Sequence, residues 1–292
     1  MKLKGSGPAA FLLLSPAFIC LVIFRIYPIA LAGWGSFCQE SFEEAGRTIF
    51  VGLQNYTNLF DDPIFWKSLW VTIKLNAVIN PVQVALALVL AVMANQRFRG
   101  IGFYRLLFFV PIGVSLPIAC VIWRLMLDPQ SGLVNSLLGW IGIDKQPFLI
   151  DERQALWSVL AIATWKGVSF WMIFLWAGLQ TIPSELYEAA RLDGAAAARR
   201  FVHITLPLLK RTLLFVLVTD TSVNFLLFVP MFLLTRGGPS YSTNVLMYEA
   251  YRSGFVYSEM GRALAIVMVL ILLVSITVVI QFYFLRQREL SP

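Results

Sequence analysis

Charge is scarce in this 292-residue chain: only 13% of it is Asp, Glu, Lys or Arg, about half the ~25% of a soluble domain. With 59% of residues apolar, so few charges cannot solvate the surface of a water-soluble globule, and lipid must cover part of it. Cysteine is equally sparse. Cys20, Cys38 and Cys120 are scattered and odd in number, with no CxxC spacing, which excludes a disulfide framework and a zinc site. The only histidine is His203, and there is no HExxH and no GxSxG segment, so no catalytic or metal-binding constellation is expected. GxxxxGK[ST] is also missing, and without it the chain cannot cradle ATP phosphates in the Walker manner. The net charge of +7 could suggest nucleic acid. In so apolar a chain its ordinary cause is basic residues beside cytoplasmic membrane ends, and no nucleic-acid partner is expected.

What is there is long apolar runs. A hydrocarbon core about 30 Å thick needs roughly 20 apolar residues as helix, and six segments qualify: 9–32, 68–94, 103–126, 155–180, 211–235 and 262–285. The first follows Lys2 and Lys4 like a signal peptide. It has no clear cleavage site and stays apolar through residues 26–31, so it reads as a retained helix. The basic residues Lys2, Lys4, Arg97, Arg99, Arg105, Arg191, Arg199, Arg200, Lys210, Arg211, Arg286 and Arg288 fall on one side of these spans. Glu40, Glu43, Glu44, Asp61, Asp62, Asp144, Asp151 and Glu152 fall on the other. The basic side is cytoplasmic, which predicts an all-α membrane protein with six transmembrane helices and both termini in the cytoplasm. Trp66, Trp70, Trp123, Trp140 and Trp157 mark the outer ends as an interfacial belt would. Residues 53–63 read as a short amphipathic helix at that interface, and 133–143 as an apolar stretch packing back on the bundle. No internal repeat, low-complexity segment or soluble domain interrupts the chain, so 1–292 reads as a single membrane domain.

The loop between the fourth and fifth spans is the most informative piece. Pro183-Ser184 offers an N-cap, and Glu185 and Glu188 then suit the positive end of a helix dipole. Gly194 can take the left-handed conformation that ends a short helix. A second helix over 195–204 is expected to stop at Pro207. The two make an elbow on the cytoplasmic face, with Leu186, Tyr187 and Ala190 as a compact apolar face for a partner's groove.

Glu188-Ala189-Ala190, three residues, Gly194, nine residues, Ile204, one residue, then Leu206-Pro207 resembles the EAA signature of bacterial ABC importer permeases at every fixed position. Gly52-Leu53-Gln54-Asn55-Tyr56, residues 177–183, Leu192-Asp193-Gly194-Ala195 and residues 234–239 are similar to the sugar and glycerol-3-phosphate branch of that family. Within the branch the chain is like the first, maltose-type, permease of the pair. One departure is Val229, followed by Pro230, where members often carry an acid. The resemblance implies a type I importer permease fold in the prokaryotic cytoplasmic (inner) membrane, with loop 184–207 as the coupling element that docks on an ATPase. Its docking residues would be Glu188, Ala189, Ala190, Asp193, Gly194, Ile204, Leu206 and Pro207, and replacing Gly194 by Asp or Val is expected to uncouple transport. Also implied are a second homologous permease, two ATP-binding subunits that hold ATP and Mg, and an extracytoplasmic solute-binding protein contacted by residues 38–66 and by Gly237-Gly238-Pro239. The chain itself would carry no cofactor and no catalysis.

Within the spans, a central charge costs about 2.5–3.5 kcal/mol on the insertion scale, so it normally faces protein or water. Arg25 and Lys74 lie within reach of the interface and can snorkel to it. Lys166 and Asp220 lie deeper. They could pair, face a hydrophilic cavity, or be unrelated. Asn76, Asn80 and Gln83 share one helix face, and Asn80-Pro81 suggests a local break. With Ser115, Ser169 and Asn224 they are either interhelical hydrogen-bonding groups or the polar lining of a solute path, where Trp165, Phe170 and Trp171 could stack on a sugar. The path candidates are therefore Asn80, Gln83, Ser115, Lys166, Ser169, Asp220 and Asn224. The rival from another class, a stand-alone ion-coupled secondary transporter, would need inverted repeats and an ion relay; Asp220 is the only deep acid.

Overall fold

Apolar helix after apolar helix is what the sequence dictates, and the computed structural model is built that way. It describes residues 6–40, 48–96 and 98–285. Lys2, Lys4, Glu43, Glu44, Arg97, Arg286 and Arg288, all part of the charge partition, lie outside the described residues. Among the described residues five helices are long and apolar enough to cross a membrane: Phe11–Gly35, Pro63–Ala94, Ala155–Gln180, Ala197–Phe225 and Met260–Phe284. The sixth candidate is a pair, Ile101–Gly113 and Leu116–Met126, bent by 101° at its break.

The chain divides into two compact units, residues 1–65 with 249–271 and residues 66–248 with 272–292. In the first unit, α1 (Ser6–Leu21) and α2 (Tyr27–Gly35) are joined through a π turn, Val22–Ile26. The apolar side chains of this span from Phe11 onward are largely exposed, as suits a lipid-facing helix. Strands β1 (Cys38–Glu40) and β2 (Thr48–Phe50) pair antiparallel with Gln39 opposite Ile49. The expected interfacial helix is present as α3 (Gln54–Phe60). It is anchored by buried Asn55, whose Nδ2 donates to the Ser36 and Cys38 carbonyls at 2.9 Å each. In the same unit Arg262 bonds Asp62, Glu249 (3.3 Å) and the Ser253 hydroxyl (3.1 Å).

The second unit is organised around α8 (Ala155–Gln180). Its Val168, Trp171, Met172, Leu175 and Leu179 form a core with Ala87 and Ala91 of α4 (Pro63–Ala94) and with Leu209 and Val216 of α11 (Leu206–Phe225). Small residues let the helices close up, as membrane bundles require. A Cβ on Gly178 would lie 2.8 Å from both Leu209 and Thr212 side-chain atoms.

Several expectations are corrected. The third span is not one helix but α5 (Ile101–Gly113) and α6 (Leu116–Met126), because Pro111, Gly113 and Pro117 crowd its middle and Val114 and Ser115 are extended. The fifth span does not run to residue 235. Its helix ends at Phe225, and Pro230 opens a separate π turn, Met231–Thr235. Asn80-Pro81 makes no break, and α4 runs through it. The apolar stretch after residue 132 forms α7 (Leu133–Trp140) but leaves Leu133, Leu137 and Trp140 exposed. What fixes it is Asn135, whose side chain bonds the Pro129 and Gln146 carbonyls and the Gln146 amide at 2.9–3.1 Å. The preceding turn is closed by Asp128, which accepts from the Ser131 amide and hydroxyl and the Gln130 amide. These bonds hold its carboxyl below the usual carboxylate range.

Candidate functional site

The loop after α8 folds as α9 (Ser184–Leu192), α10 (Ala197–Arg200) and a π turn, Phe201–Thr205, that leads into α11. Pro183 rather than Ser184 takes the capping position, no side chain caps α9, and only Glu185 lies in its first turn. The elbow is as expected. Gly194 has φ +75°, the Ala195 amide donates to the Ala190 carbonyl (2.9 Å) and the Gly194 amide to Arg191 (3.0 Å). These are the two bonds of a Schellman ending, so the spacing from Ala190 to Gly194 is the spacing the turn needs. Arg200 Nη1 crosses the elbow to the Ala195 carbonyl at 2.6 Å.

Pro207 does not stop the second helix, because Ala197–Phe225 is continuous. In the π turn the Leu206 amide reaches back five residues to Phe201. That widened turn moves aside the carbonyl on which the proline ring would otherwise press. Pro28 follows a π turn in the same way, with the Tyr27 amide on Val22.

No residue of α9 is buried. Leu192 is 90% and Leu186 43% exposed, while Glu188, Ala189, Asp193 and Pro207 are exposed and Ala190, Ile204 and Leu206 half-buried. Tyr187 does not belong to the outward apolar face. It is half-buried, and its hydroxyl bonds Thr205 Oγ1 at 2.9 Å, which ties α9 to the start of α11. Tyr187→Phe is therefore expected to cost about 0.5–1.5 kcal/mol of stability and to raise protease sensitivity in loop 184–207. Unchanged cleavage would remove this tie from the account.

Of the polar candidates inside the spans, four come together. Asn224 Nδ2 on α11 lies 2.8 Å from Asn80 Oδ1, 3.0 Å from Gln83 Oε1 and 3.0 Å from Asp220 Oδ1. An amide has only two hydrogens to share among these three acceptors. Gln83 Nε2 donates onward to the Ala163 carbonyl at 2.9 Å, joining α4, α8 and α11. All four side chains are buried. Asp220 Oδ2 makes no hydrogen bond of good geometry, with the Trp171 side chain as the adjacent donor group.

Lys166 and Asp220 do not pair. Lys166 Nζ instead bonds three backbone carbonyls, Pro111 (2.5 Å), Ile112 (3.0 Å) and Val114 (2.5 Å). Ser115 is exposed at the break beside them, and Ser169 is buried on α8. Trp171 is buried in the core and offers no free stacking face, and Trp165 meets Trp123 edge to face at 5.7 Å. Lys74 lies over the Trp157 ring, 5.2 Å from its centroid.

Sequence reasoning missed Gly167, Gln281 and the Ser68–Asn244 pair. Gly167 is where α4 approaches α8, since a Cβ there would lie 2.3 Å from Gln83 Nε2; a glycine inside an apolar span was the available signal. Gln281 Nε2 donates to Thr221 Oγ1 at 2.7 Å, and as a lone amide in the last turn of the last span it was visible too. Asn244 Nδ2 donates to Ser68 Oγ at 2.7 Å, and nothing in the pattern of residues 236–248 points to that contact.

Apolar helices long enough to cross a membrane, with a glycine-jointed helical loop between two of them, define a polytopic membrane protein. The family profile described as "Binding-protein-dependent transport system inner membrane component" matches residues 83–290. The chain belongs to this family and is a multi-pass component of the inner membrane. It is 37% identical over 279 residues to the sn-glycerol-3-phosphate transport system permease protein UgpA of Agrobacterium fabrum, covering 95% of this chain and 94% of that one. It is 35% identical over 266 residues to the sulfoquinovosyl glycerol transport system permease protein SmoG of the same organism, covering 90% and 86%. Its fold matches a chain of a bacterial alginate ABC transporter solved with an alginate pentasaccharide-bound periplasmic protein. There the TM-score is 0.80 at 23% identity, over 95% of this chain and 94% of that one.

Proposed function

We propose that this chain is the first of two homologous permease subunits in an ATP-driven, binding-protein-dependent importer of a carbohydrate-type solute. The whole chain works as one permease domain, with both termini and loop 184–207 on the cytoplasmic side. The observation that carries this reading is the loop itself. Its EAA residues fold into an elbow that leaves Leu186 and Leu192 exposed among the described residues. Two ATP-binding subunits receive that face and its counterpart on the second permease. ATP and Mg are bound and ATP is hydrolysed there, and this chain catalyses no chemistry.

Closure of the ATPases moves the coupling helices, and the permeases alternate between inward- and outward-open states. An extracytoplasmic binding protein contacts residues 38–66 and the Gly237-Gly238-Pro239 turn and releases the solute into the path. The named relatives support a glycerol- or sugar-containing solute that carries an acidic group. The solute path includes the Asn80, Gln83, Asp220 and Asn224 network, where four hydrogen-bonding side chains of α4 and α11 meet. Because that network is buried, solute reaches it only when α11 separates from α4. Ser169, buried on α8, belongs to the path as well, and Ser115 with Lys166 borders it at the break in the third span.

Uptake into proteoliposomes holding both permeases, with and without the ATPase subunits, tests the reading. Solute entry is expected only with the ATPases, ATP and binding protein together. Entry without ATPases, driven by an ion gradient, would make the chain a stand-alone secondary transporter instead.

A further inference from the structure

A break in a membrane helix exposes polar backbone, and lipid does not tolerate such backbone unless protein covers it or water reaches it. In the third span the break falls at residues 113–115, halfway between Ile101 and Met126. Gly113 and Ser115 are exposed, and the Ser115 side chain does not cap α6. The first amides of α6 therefore have no intrahelical acceptor and need water or a polar partner.

On the other side of the break three carbonyls have a donor. Lys166 Nζ reaches those of Pro111, Ile112 and Val114. An ammonium has three hydrogens and no acceptor, so three carbonyls use all of them and leave no hydrogen for a solute. The ammonium also sits at the negative end of α5, where the helix dipole favours a cation. Proline and glycine permit the bend, but a permissive sequence does not hold an angle of 101°.

We propose that Lys166 is a positioning residue: its ammonium locks the third span in its broken form, so that residues 113–115 face the aqueous translocation path instead of lipid. This rests on the chain being a permease, not on the identity of its solute. Its failure is therefore separable from failure of the solute assignment.

The test uses the complete transporter with Cys20, Cys38 and Cys120 replaced by Ala. Ser115→Cys is expected to react with a charged, membrane-impermeant thiosulfonate at least about tenfold faster than Val121→Cys, an exposed apolar position inside α6, if water wets only the break. Lys166→Ala is expected to lower uptake at saturating solute by about tenfold or more while the half-saturating concentration stays the same, the pattern for loss of a group that does not bind solute. Added ethylammonium, which fits the vacated carbonyls, is expected to restore part of the uptake and the Ser115→Cys reactivity together.

Three results would overturn the proposal. One is equal labelling of the two cysteines, which would place the break against lipid or the second permease. Another is a changed half-saturating concentration at unchanged maximal rate, which would make Lys166 a solute contact. The third is no rescue by ethylammonium, whether Lys166→Ala assembles or not.

Discussion

Gly194→Val is expected to abolish coupled uptake while the chain still inserts and assembles. Gly194 sits at φ +75°, a conformation that costs a non-glycine residue on the order of 1–3 kcal/mol and a β-branched one the most. No atom lies within 4 Å of the place a Cβ would occupy, so the penalty is in the backbone and not in packing. The chain can escape it only by giving up the Schellman bonds to Ala190 and Arg191, which changes the angle between α9 and α10. A shift of this size is worth roughly tenfold per 1.4 kcal/mol in the population of the docking-competent elbow. Open space also predicts an order among substitutions. Asn, which enters the left-handed region at small cost, is expected to keep most uptake, Asp less, and Val almost none. The readouts are uptake, basal ATP hydrolysis and the amount of assembled complex. Equal uptake for Asn and Val would remove the elbow from the coupling account.

That loop was readable because its geometry is local. A left-handed glycine, its two backbone bonds and their spacing all lie within six residues, so the motif and the turn are the same information. The six apolar runs were readable for a similar reason, since length and hydropathy alone decide whether a helix can span. The third span was the exception. Its total length is sufficient, but the positions of Pro111, Gly113 and Pro117 decide the bend, and a count of apolar residues does not register them. Pro207 and Pro81 misled in the opposite direction. A π turn ahead of Pro207 absorbs the ring, and α4 carries Pro81 without a break; neither outcome follows from the residue type.

Partners across the bundle were the least legible. Lys166 and Asp220 invited pairing by sign and depth, yet three carbonyls of α5 and Val114 are nearer to one and Asn224 to the other. Backbone carbonyls leave no mark in a sequence. Only a bent helix exposes them, and the bend itself had not been anticipated.

The second large effect is expected from Gly167→Ala, a change of one methyl group. Its Cβ would lie 2.3 Å from Nε2, 2.8 Å from Cδ and 3.0 Å from Oε1 of Gln83. Gln83 is 1% exposed and has no free direction in which to turn. It must leave the Ala163 carbonyl and Asn224 Nδ2, or force α4 and α8 apart. Overpacking typically costs about 1–3 kcal/mol and each membrane-embedded hydrogen bond about 0.6, so a loss of roughly 2–4 kcal/mol in the stability of the purified complex follows. Gln83→Ala removes the obstacle. The double variant is then expected to be more stable than the sum of the two single losses by about 0.5–3 kcal/mol, the usual coupling of residues in contact. Strict additivity would mean that the two side chains do not meet. Uptake carries the further distinction. If Gln83→Ala restores both stability and transport to Gly167→Ala, the amide is a bond between helices and nothing more. If it restores stability alone, Gln83 also lies on the route of the solute, because only a group that solute must touch is missed once the packing has been relieved.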